Sequence, residues 1–164
     1  MTVRSKTPSG ANSRPAIDDQ TPTAPRDEAA VPLFVAELSV RWRDLDAFNH
    51  VNNANYLTYL EESRLQWLSH VPGWHDQNAV PVLAASSLNY RAPIAWPAAV
   101  AVELYCERLG NSSLTIAHRI VDDADRHRLY SDGNVVLVWM NPHDGKPVPL
   151  PSAIRKAAER ALSD

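Results

Sequence analysis

"DLDAFNHVNN", residues 44–53, runs directly into "ANYLTYLEESRLQWL", residues 54–68. The second stretch has helical spacing. At 100° per residue, Asn53, Tyr56, Leu57, Leu60, Arg64, Trp67 and Leu68 share one face. Asn55, Thr58, Glu62, Gln66 and Ser69 lie opposite. The spacing predicts a helix over about 53–69, stopped by "HVPGW" (70–74), where Pro72 and Gly73 are breakers. The first stretch carries more polar groups than a helix start requires. One side-chain oxygen satisfies one orphan N–H, yet two aspartates, a histidine and three asparagines crowd into ten positions.

On either side of this helix the pattern is that of strands. Phe34, Ala36, Leu38, Val40 and Trp42 share one face and Val35, Glu37, Ser39 and Arg41 the other, as in a half-buried strand. Segments near 80–91, 99–109, 112–122 and 127–140 alternate or run apolar. "DDADR" (122–126) and "NPHDGK" (141–146) have turn chemistry, and short turns join antiparallel neighbours. A short helix is expected after Pro151, in "SAIRKAAERAL". The order predicts an α+β protein: one five-stranded antiparallel sheet wrapped around one long central helix. Residues 1–31 carry Pro8, Pro15, Pro22 and Pro25 without apolar periodicity. They are expected to form a disordered tail, with the folded domain spanning 32–164.

Composition narrows the function classes. A 45% hydrophobic fraction supports a real core, and 21% charged is ordinary for a soluble protein. A net charge of −3 offers no basic stripe for nucleic acid. No apolar run reaches the roughly 18 residues of a membrane span, and the polar start has no secretory pattern, so a cytoplasmic location is expected. The single cysteine, Cys106, falls on a strand's apolar face and reads as packing.

The polar run is therefore the place to look for chemistry. Asn49 or Asn52 suits a cap, and Asp46 suits a loop. A helix N-terminus also attracts an oxyanion. Asp46 beside it has the makings of a base for water or a nucleophile toward a carbonyl, with N–H groups near Val51 to Asn53 holding developing charge. Asp44, Asp46 and His50 lack the spacing of a helix-borne metal pair. Arg64 reads as a structural ion pair with Glu61, or as a substrate contact. Glu61 is a second candidate acid, and Tyr56, Tyr59 and Trp67 are core residues that also suit an acyl pocket. Arg91 is a candidate for a phosphate contact.

"RWRDLDAFNHVNNANYLTYLEESR" (41–64) resembles the signature of the 4-hydroxybenzoyl-CoA thioesterase family, most closely the bacterial branch acting on long-chain acyl-CoA. The resemblance continues through "LNYRAPIAWPAAVAVEL" (88–104), "LGNSSLTIAHRI" (109–120) and "VVLVWMNPHDGKPVPLP" (135–151). It implies a hotdog fold, a homodimer or dimer of dimers, and hydrolysis of fatty acyl-CoA in a cleft between subunits, without cofactor or metal. The family's catalytic aspartate falls on Asp46, and His50, Val51, Asn52 and Asn53 fill the rest of the pattern. Some members place a histidine where this chain has Asn53, so their proposed proton donor is missing here. Two other functions stay open: a hotdog hydratase or dehydratase, whose Asn-Pro-x-x-His context is absent, and a non-catalytic acyl-thioester binding module.

Overall fold

The computed structural model describes residues 30–163. The tail expected over residues 1–31 lies almost wholly outside the described residues. Strand β1 (Phe34–Ser39) leads through a single 3₁₀ turn (Trp42–Asp44) to helix α1 (Asn53–Ser69). Strands β2 (Val80–Tyr90), β3 (Ala99–Leu109), β4 (Ser113–Asp122) and β5 (Leu129–Met140) follow, and helix α2 (Ser152–Ser163) closes the chain. The strands form one antiparallel sheet in the order β1-β3-β4-β5-β2. This is the α+β architecture expected from the sequence.

Two details differ. Trp42 does not continue the inward face of β1. The strand ends at Ser39, the chain turns into the 3₁₀ segment, and Trp42 stands 75% exposed. The buried face of α1 is also rotated from the one expected. Tyr56, Tyr59, Leu60, Ser63, Trp67 and Leu68 are buried, while Leu57 is 46% exposed. The rotation follows from hydrogen bonding. The Tyr59 hydroxyl donates to the Asp44 carboxylate (2.8 Å) and the Ser63 hydroxyl donates to the Tyr59 carbonyl (2.7 Å). Both polar groups are thus buried at little cost, and the stripe through Leu57 and Leu65 is left outside.

Strand β2 pairs with β5 rather than with β3, its neighbour in sequence. Residues 91–98 are too long for a tight hairpin; they cross to the far side of the sheet. On the way, Ala95 bridges His50 and the Ile94 carbonyl accepts the Val51 N–H (2.8 Å). The crossover thereby braces the N-terminal end of α1.

The core lies between α1 and the sheet and includes Leu60, Ile94, Leu104, Ile116, Ile120 and Trp139. Helix α2 buries Ile154 and Ala158 and packs against β3. The β2–β5 seam is tight at Gly133, where an added Cβ would run into the Ser87 carbonyl and crowd His118. Gly133→Ala should therefore push β2 off β5 and cost about 1–3 kcal/mol. Thermal unfolding checks this, and an unchanged Tm would show that the seam yields freely.

Candidate active site

The crowded loop before α1 divides its polar groups between support and surface. Asp44 is the support, at 3% exposure. Its carboxylate accepts the Arg41 backbone N–H (3.1 Å), the Arg41 guanidinium (3.0 Å) and the Tyr59 hydroxyl (2.8 Å). Its carbonyl takes the Asn52 N–H and the Asn55 side-chain amide, each at 2.8 Å.

Asp46, two residues on, is half-buried and turned to a different task. Its Oδ1 accepts the backbone N–H groups of Phe48 (2.8 Å) and His50 (3.2 Å), and its own N–H donates to the His50 carbonyl (2.7 Å). Asn49 takes the left-handed φ of 60° that so small a loop demands. Among the described residues, Oδ2 of Asp46 accepts no hydrogen bond. One carboxylate oxygen is thus fixed by the backbone, and the other is available.

The start of α1 is more selective than the sequence implies. Asn52 is the N-cap, its Oδ1 accepting from the Ala54 N–H (3.0 Å). The Val51 and Asn52 N–H groups are spent on the Ile94 and Asp44 carbonyls. Of the three N–H groups from Val51 to Asn53, only that of Asn53 has no partner among the described residues. The oxyanion role expected of this region thus narrows to a single backbone donor.

Tyr56 joins this group. Its buried hydroxyl lies 3.4 Å from the Ala92 carbonyl, and its ring meets Tyr90 edge-on at 5.1 Å between centroids. Burial pushes the Tyr56 phenol up from its ordinary pKa; the backbone at Ile94 opposes this, and the neighbouring Tyr90 phenol and Asp46 carboxylate add to it. Tyr90 donates to the Asn53 carbonyl (3.0 Å) and so ties the end of β2 to the first turn of α1. Nothing in the sequence singles out Tyr90 for this role. Its only signal is its place in the "LNYRAP" stretch, where it closes a strand.

Two expected site residues have other surroundings. Arg91 gives its guanidinium to Asp132, with Nε at 3.0 Å from Oδ2 and Nη2 at 3.3 Å from Oδ1. A buried aspartate already claims the cation expected to meet phosphate. Glu61 sits eight residues along α1 from Asn53, about 12 Å by helical rise, and is exposed. It lines a cavity of about 340 Å³ together with Arg64, Leu65, Leu68, Trp74, His75, Val80, Pro81, Leu83 and Leu137. The expected Glu61–Arg64 ion pair does not close: no contact within bonding distance forms, although the Glu61 charge is felt at Arg64. Both side chains line the same cavity, Glu61 exposed and Arg64 half-buried, with a gap between them that no hydrogen bond closes.

The arrangement combines a half-buried carboxylate and an unspent helix N–H, and the same helix exposes Leu57 and Leu65 farther along. It suits attack on a carbonyl attached to a long apolar group. Comparisons with known proteins identify the family. The thioesterase-like superfamily matches residues 40–158. The long-chain acyl-CoA thioesterase FadM of Escherichia coli (strain K12) is 24% identical over 129 residues, covering 77% of this chain and 97% of FadM. Among solved structures, XC229 of Xanthomonas campestris, a putative acyl-CoA thioesterase by its description, is 52% identical over 66% of this chain and 93% of its own, with a TM-score of 0.63. A thioesterase of Thermus thermophilus, complexed with coenzyme A and Zn, is 31% identical over 81% of this chain and 97% of its own, with a TM-score of 0.67. The family match takes in the Asp46 loop, the central helix and strands β2 to β5: the chain belongs to the thioesterase-like superfamily and is a hotdog-fold thioester hydrolase.

Proposed function

We propose that the protein hydrolyses fatty acyl-CoA to a free fatty acid and CoA, with Asp46 as the base or nucleophile. The observation that carries this reading is the division of labour in the Asp46 carboxylate: Oδ1 is held by two N–H groups, and among the described residues nothing donates to Oδ2. Water, deprotonated by Asp46, adds to the thioester carbonyl, or Asp46 adds first and its anhydride is then hydrolysed. On either route the carbonyl oxygen gains charge opposite the Asn53 N–H, and the C–S bond breaks to release CoA thiolate, which takes the proton held by Asp46 on the first route and a proton from solvent on the second. FadM supports a long acyl group, and the coenzyme A held by the Thermus thermophilus protein supports the carrier. Within this chain, α1 exposes Leu57 and Leu65 on either side of Glu61, and Leu65 reaches the cavity, which offers apolar contacts for the acyl tail.

Assembly belongs to the same proposal. Strand β2 is an edge, and residues 82–87, including Val82 and Leu83, are exposed along it. A long, uncharged edge invites a second copy, so a homodimer through β2, or a dimer of such dimers, is expected. Light scattering that gives the mass of one chain at micromolar concentration would refute this part. The activity test is thiol release from saturated acyl-CoA of increasing length. Efficiency should rise toward medium or long chains. Tight binding of an inert acyl-CoA analogue without thiol release would make the protein a binding module instead.

A further inference from the structure

Arg64 is a cation that finds no acceptor among the described residues. It lines the cavity at the far end of the Leu57–Leu65 stripe, 11 residues from Asn53 and about 16 Å along α1. Among the described residues, none of its N–H groups makes a hydrogen bond and no carboxylate lies within 4 Å. Burial pulls its pKa down, and only the charge of Glu61 pushes it back up. The rest of the wall is apolar, built largely by Leu65, Leu68, Trp74 and Leu137, with Glu61 and His75 as its other polar residues. A saturated acyl tail filling this space would drive water off a guanidinium and return nothing, which is costly.

We infer that this cavity selects acyl chains bearing a hydroxyl near the distal end, held between Arg64 as donor and Glu61 as acceptor. The inference rests on the thioesterase reading above and deepens it. A hydroxyl is favoured over a carboxylate because the cavity holds one charge of each sign. The hydroxyl oxygen accepts from Arg64 while its proton goes to Glu61; a carboxylate would meet Arg64 but face Glu61 as a like charge. The distance from Asn53 places this selection at the tail of a medium-length chain, far from the thioester.

The test compares three substrates on the full-length protein: dodecanoyl-CoA, ω-hydroxydodecanoyl-CoA and the ω-carboxy analogue. The hydroxylated chain should have the highest kcat/KM, with the gain in KM rather than kcat. Arg64→Met should reduce its advantage over dodecanoyl-CoA by about tenfold, the scale of one charge-assisted hydrogen bond; Arg64→Lys should restore part of it. A wild-type preference for the saturated or carboxylated chain would overturn the inference while leaving the thioesterase reading intact. Thiol release from none of the three would instead overturn the thioesterase reading. If Arg64→Met dissociates the oligomer in light scattering and leaves the substrate ratio unchanged, Arg64 serves a partner subunit and the inference falls.

Discussion

Asp46→Asn should lower turnover by about a hundredfold or more while the protein keeps its fold, its oligomeric state and its affinity for an inert acyl-CoA analogue. The expectation follows from which atoms the substitution changes. An asparagine Oδ1 still accepts the Phe48 and His50 N–H groups, so the small loop survives. What disappears is the basicity and charge of the open oxygen. Loss of a general base typically costs about 10²–10⁴-fold, and loss of a nucleophile costs no less. Asp46→Ala is the harsher companion, because it also frees the loop N–H groups and should lower Tm. If Asp46→Asn retains near-wild-type turnover, the catalytic group lies elsewhere, and Glu61 is the next carboxylate to replace.

Much of this is legible in the residues alone. Helical spacing marks α1 and period-two segments mark the strands, because both follow from local geometry that side chains impose directly. The surplus of polar residues at 44–53 points to the site for a similar reason, since capping alone does not consume them. What escapes is non-local. The crossover from β2 to β3 depends on where β5 lies, and no local pattern encodes that. The buried face of α1 turns on Tyr59 finding Asp44; a serine such as Ser63 looks exposed until its partner, the Tyr59 carbonyl, is known. The pairing of Arg91 is hidden for the same reason. A lone charge on a sequence carries no sign of whether an aspartate such as Asp132 already holds it.

Asp44 and Asp46 share a residue type and stand two positions apart, so the second large effect separates them. Asp44→Ala should destabilise the protein by about 2 kcal/mol, because the buried Tyr59 hydroxyl loses its acceptor. Tm should fall by roughly 6–10 °C. Asp44→Asn, which keeps an acceptor for Tyr59, should reduce turnover of the folded enzyme only modestly. Tyr59→Phe should cost less when added to Asp44→Ala than alone, since the two residues share one interaction. The pH dependence has a definite sign. Burial raises the Asp44 pKa, but hydrogen bonds from Arg41 and Tyr59 outweigh it and hold the carboxyl below its ordinary value. A depressed folded pKa contributes stability above the unfolded value of about 3.9 and loses it as pH falls through the folded one. The gap in Tm between wild type and Asp44→Ala should therefore be full near neutral pH and narrow below about pH 4. A gap that stays constant into acid would mean the carboxylate charge contributes nothing, and that packing alone accounts for the loss. A larger fall in turnover for Asp44→Asn than for Asp46→Asn would exchange their roles, and the site would have to be rebuilt around the buried residue.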